Sequence, residues 1–123
     1  MSKRVRIKWC KSPAAHDYPS ALSYLLLLCD EKTAAAHVRR LKRAAGMEFK
    51  AKDIFRASGL SLLGVSDRHI ARDQRLIKAG RALSPLLLVR DTVHSRVIVA
   101  DGYHRLCAVY ARDEDALIPC RIV

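Results

Sequence analysis

The sequence predicts an α+β fold: a small mixed β-sheet with helices packed on it, preceded by a mainly helical N-terminal extension. Three observations carry that expectation. Residues 97–100 form a β-branched and small apolar run, the pattern of a buried strand, and lead through Asp101 and Gly102 into apolar residues at helical spacing. Residues 86–89 and 117–123 give two more strand-like runs; Ser84-Pro85 opens the first, where proline's missing donor is not required by a ladder. Between residues 20 and 80 the apolar positions mostly recur every three to four residues, with aspartate, serine and glycine at the boundaries.

Length and composition set the limits. The chain has 123 residues, half of them hydrophobic, enough for one domain with a real core. Lysine and arginine number 23 against 12 acidic residues, and the net charge of +11 favours an anionic partner such as nucleic acid, a nucleotide or an acidic protein. Charge alone does not choose among them. The apolar run at residues 25–29 is far too short to cross a bilayer, and the basic start lacks the apolar stretch of a secretion signal. A cytoplasmic protein with no membrane partner is therefore expected.

Taken in order, residues 4–9 alternate cations with Val5, Ile7 and Trp9, a period of two that predicts a short edge strand. Residues 12–20 hold Pro13, Asp17, Pro19 and Ser20, which is loop chemistry, with Ser20 as the expected cap of a short, mostly buried helix over residues 21–29. Asp30 should cap a second helix over residues 31–45, whose apolar stripe is Ala34, Val38, Leu41 and Ala45 and which Gly46 ends. Its other face carries Arg39, Arg40, Lys42 and Arg43. That band is a candidate grip on nucleic-acid phosphates, with a solvated charge run as the plain alternative; no aromatic residue interleaves with it, which argues against single-strand stacking.

Residues 50–58 predict a third helix, with Ala51, Ile54 and Phe55 inward and Gly59 as its stop. Residues 60–65 read as an extended segment or first sheet strand. Ser66 or Asp67 should cap a helix running to about residue 79, where Asp73 and Gln74 interrupt the apolar positions Ile70, Leu76 and Ile77, so one flank is exposed or lines a cleft. Gly80 ends it. Residues 90–96, with Asp91, Thr92, His94 and Ser95, suit a hairpin loop between two strands. A last helix is expected from residue 102 to about 112, with Asp101 as its cap and Tyr103, Leu106, Cys107 and Tyr110 toward the sheet. Asp113-Glu114-Asp115 then makes an acidic turn, and Pro119 places the closing strand at an edge or at the start of its paired part. The division is residues 1–46, strand and helical extension, and residues 47–123, the sheet domain, in one unit overall.

The chemistry concentrates where residues 97–100 meet that helix. His104 and Arg105 fall near its open N-terminal end, where unpaired N–H groups, the helix dipole, a guanidinium and an imidazole together suit a phosphate or carboxylate. The competing account pairs Arg105 with Asp113, Glu114 or Asp115 and leaves His104 in solvent.

The run Asp101-Gly102-Tyr103-His104-Arg105, with Lys78-Ala79-Gly80 and Ser84-Pro85-Leu86 upstream and Ile118-Pro119-Cys120 downstream, resembles the ParB/sulfiredoxin superfamily. It looks like one of the small bacterial branches, and the likeness covers roughly the second half of the chain. The resemblance implies that Gly102, Tyr103, His104 and Arg105 hold nucleotide phosphates. It also implies a supporting role for the segment Asp67, Arg68 and His69 before the preceding helix. One branch phosphorylates free serine and carries a closely similar Asp-Gly-His-His-Arg turn; by that likeness Asp101 would be catalytic, holding magnesium that arrives with a nucleotide or accepting a hydroxyl proton. A helix cap is the competing reading of Asp101.

Cys10, Cys29, Cys107 and Cys120 include no Cys-x-x-Cys pair, so reduced and largely buried thiols are expected rather than a zinc knuckle or a disulfide framework. Sulfiredoxins carry their catalytic cysteine between the glycine and histidine of this turn, and here Tyr103 stands there. The resemblance therefore argues against sulfinic-acid repair. Three classes remain: a nucleotide- or phosphate-binding module, a small phosphotransferase or NTPase, and a nonspecific nucleic-acid binder without the helix-turn-helix of ParB proteins.

Overall fold

A computed structural model describes residues 6–62 and 67–123. Its centre is a four-stranded sheet of β2 (Gly46–Lys50), β4 (Leu86–Asp91), β5 (Arg96–Asp101) and β6 (Leu117–Ile122), in the order β2-β6-β4-β5. The pairs β2–β6 and β4–β5 are antiparallel and β4–β6 is parallel. Two short strands, β1 (Lys8–Trp9) and β3 (Ala82–Leu83), pair in parallel away from it. Because successive side chains alternate across a sheet, Leu86 and Leu88 face one way and Leu87 and Val89 the other. Both sides are covered, which is why residues 86–89 form an unbroken apolar run.

On one face lie α1 (Asp17–Leu25) and α2 (Glu31–Arg43), which bury Ala21, Leu25, Ala34, Val38 and Leu41 against Leu87, Val89 and Ala100. On the other lie α3 (Ala51–Ser58), α4 (Arg68–Lys78) and α5 (Tyr103–Arg112), packed through Ile54, Ile70, Ile77 and Leu106 onto Leu86, Leu88, Val99 and Ile118. The helical extension thus forms one whole layer of the fold. Arg121 of β6 ties it down, its guanidinium donating to the carbonyls of Ala44 at 2.6 Å and Lys11 at 3.2 Å.

Local signals hold at several boundaries. Asp30 accepts from the Thr33 N–H at 2.8 Å and caps α2; Gly59, at φ +66°, ends α3 in the left-handed region. Elsewhere the structure departs from the sequence reading. The first helix starts at Asp17, so Ser20 lies inside it and bonds back to the His16 carbonyl, while Pro19 is tolerated in the first turn because its missing N–H would be unpaired there anyway. That helix ends at Leu25, and Leu26, Leu27 and Leu28 follow as exposed turn residues, Leu27 at 81%. Gly46 does not stop α2, which ends at Arg43; it opens β2. Residues 60–62 form no strand, and residues 63–65 lie outside the described residues, as do residues 4 and 5 of the expected edge strand. Pro119 sits in an interior strand, opposite Glu48 and one residue before β6 begins to pair with β4 at Cys120, so its absent donor interrupts nothing.

Candidate functional site

The turn between β5 and α5 depends on Gly102, whose φ of +104° lies where side chains are rarely tolerated. A Cβ there would stand 2.8 Å from Leu86 Cγ and 2.9 Å from Arg105 Nη2. The glycine is thus demanded by the backbone and by two inward neighbours, so a side chain would strike Leu86 and Arg105. Its carbonyl accepts the first helical bond, from the Leu106 N–H at 2.9 Å.

Arg105 turns inward. Its Nη2 donates to Asp101 Oδ2 at 3.1 Å and to the Pro85 carbonyl at 3.4 Å, and stands 3.6 Å from Asp17 Oδ2. Asp17 is only 2% exposed and also accepts a short hydrogen bond from the Ser84 hydroxyl, whose oxygen accepts from the Ala14 N–H at 3.0 Å. One guanidinium therefore joins α1, the turn before β4, the end of β5 and the start of α5. The acidic-turn partners of the competing account are not those of Arg105; Asp115 meets Lys52 at 2.7 Å.

Asp101 does not cap α5. Among the described residues, no side chain does. Burial holds the Asp101 carboxyl above its ordinary range, the Arg105 guanidinium draws it down and Asp17 raises it further. Arg105 engages Asp101 Oδ2, and among the described residues no three His, Cys, Asp or Glu side chains gather as a metal site.

Toward solvent, the turn opens into a cleft of about 420 Å³ lined by Ser20 and Tyr24 of α1, by Leu60, and by residues 99–104. His104 comes within 4.6 Å of His69 between ring centroids, and Tyr103 donates a short hydrogen bond to the Ser61 carbonyl. The two histidines singled out in the sequence are thus brought together, each at the second position of its helix. Asp67 caps α4 through the N–H groups of His69 at 2.8 Å and Ile70 at 3.3 Å, and these bonds hold its carboxyl below the ordinary range. Arg68 is exposed at the start of α4.

Asp73 was not singled out as a site residue, although its spacing to Ile70 and Ile77 put a carboxylate on the apolar face of α4. It is 3% exposed, and among the described residues its Oδ2 has no hydrogen-bond partner. Burial holds it above the ordinary range, with Arg72, Arg105, His104 and His69 drawing it down. Arg105 Nε is likewise buried and, among the described residues, without a hydrogen-bond partner.

Arg39, Arg40, Lys42 and Arg43 are all exposed on α2. The Lys42 ammonium lies 5.5 Å from the Tyr18 ring centroid, a pairing across elements that the sequence did not reveal. Cys107 and Cys120 are buried, and burial pushes the Cys120 thiol up to about 12; Cys29 is half-buried and Cys10 exposed. Comparison of the chain with protein-family models, with curated proteins and with solved structures finds no match in any of the three.

Proposed function

We propose that the protein is a nucleotide- or phosphate-binding module of the ParB/sulfiredoxin kind, with the β5–α5 turn as its anion site. One observation carries the reading: the cleft opens onto the start of α5, and among the described residues no side chain caps the N–H groups ahead of the first helical bond. Such groups and the positive end of the helix dipole favour an anion. Gly102, Tyr103 and His104 line the cleft, with His69 against His104. Arg105 supports the site as a positioning residue, since its Nη2 donates to Asp101 and Pro85 and pairs with Asp17. Calorimetric titration with ATP, CTP, ADP and pyrophosphate should give heat with at least one of them. Silence with all four would sink the nucleotide reading.

A second reading, nonspecific contact with nucleic acid, is favoured by the exposed cations of α2 and the net charge of +11. Binding across a salt series should weaken steeply and be indifferent to base sequence. Replacing Arg39, Arg40 and Arg43 together should flatten the slope; an unchanged slope removes the band from the account.

A further inference from the structure

β5 is the last strand of its sheet, and among the described residues nothing pairs with its outer edge. The hydrogen bonds from Arg90 N to Val123 O at 2.7 Å and from Val123 N to Leu88 O at 3.2 Å turn Leu88 and Arg90 toward β6. Val89, between them, is turned toward β5, where its partner is Ile98. By the same alternation Val97 and Val99 direct their N–H and C=O groups outward. Unpaired groups of this kind are a template for another strand.

This edge is the floor of a groove. Tyr24 and Leu28 stand on the α1 side of the sheet and Ser58 and Leu60 on the α3 side, with residues 96–99 between them. The groove continues past Val99 into the cleft before α5. Tyr24, Leu28 and Leu60 are all exposed apolar side chains, placed to receive alternate side chains of an extended chain from its two faces.

We propose that the open edge of β5 binds an extended peptide, apolar in its middle and acidic toward α5, as an added strand. A second copy of this chain fits less well, because it brings another +11 of like charge, whereas an acidic segment is drawn by that charge and by the start of α5, which no described side chain caps. The strand pairing stands apart from the anion reading; only the acidic end draws on it.

The test uses the full chain and synthetic heptapeptides with alternating valine and threonine and two terminal aspartates. Two versions are N-methylated on opposite sets of alternate amides, and a third carries lysines in place of the aspartates. Methylation on one set should weaken binding roughly tenfold or more and on the other about twofold at most, since only one set faces the edge. On binding, amide hydrogen exchange should slow at Val97 and Val99 and stay unchanged at Ile98. Leu60→Glu should weaken binding of the acidic peptide without lowering the melting temperature. Equal binding by the two methylated peptides, or no slowing at Val97 and Val99, overturns the strand, and equal binding by the lysine version overturns the acidic occupant. A dimer in sedimentation, with both valine amides protected before peptide is added, would overturn the proposal in favour of a second copy. Loss of nucleotide binding with intact peptide binding bears on the anion site alone.

Discussion

The starts of α4 and α5 lie close enough for His69 and His104 to meet at 4.6 Å, yet the two helices begin in opposite ways. α4 is closed by its own Asp67, which takes the N–H groups of His69 and Ile70. α5 follows a left-handed glycine and, among the described residues, has no side-chain cap. A cap contributes on the order of 1 kcal/mol, so an uncapped helix start beside a cleft forgoes stability that a neighbouring helix keeps. The difference separates a helix end closed by its own side chain from one that opens on a cleft.

The strongest way to break the comparison is to remove what holds the α5 start in place. Arg105→Ala leaves Asp17 and Asp101 without their guanidinium, and losing one member of a buried ion pair costs about 3 kcal/mol or more. Urea unfolding should show that loss, and a change under 1 kcal/mol would mean the network is not structural. Asp67→Ala and His104→Ala sharpen the comparison from its two sides. The first should cost about 1 kcal/mol of stability and leave nucleotide affinity alone; the second should cost about 1 kcal/mol of binding with little change in melting. Reversed outcomes would exchange the roles of the two helix ends.

The smallest effect concerns Asp73, whose carboxyl is held above its ordinary range in the folded chain. The folded state then binds its proton more tightly than the unfolded state, so this group lowers stability as pH rises from the ordinary carboxylate range through the raised value. Asp73→Asn should therefore melt higher than the parent at pH 7, with the gap narrowing toward pH 3. A gap that widens on acidification reverses the sign and refutes the assignment.

What the sequence made legible was local. Asp30 and Gly59 act within a few residues of themselves, so their capping roles could be read directly, and Asp67 was one of two candidate caps beside Ser66, which lies outside the described residues. The strand β2 could not, because four of its five residues are exposed and it exists by pairing with β6 far along the chain. Arg105 was identified as the charged centre of its turn, but its partner Asp17 belongs to α1, and no spacing rule connects them. The helix containing Asp17 was itself displaced in the reading, since His16 precedes it with no side-chain cap to mark the start. Asp73 was visible as a break in an apolar pattern, and its burial became clear only once α4 was seen packed on α5.

The place of β6 also sets an order of events during synthesis. It lies between β2 and β4, although it is made after both. Until residues 117–122 leave the ribosome, β2 has no strand beside it and β4 has only β5. The sheet therefore closes by insertion of its latest strand into its middle, and Arg121 on that strand then fastens the segments made first, at Lys11 and Ala44. Pairings over such separations are slow to form, and a nascent chain halted before that point exposes the edges that β6 would cover.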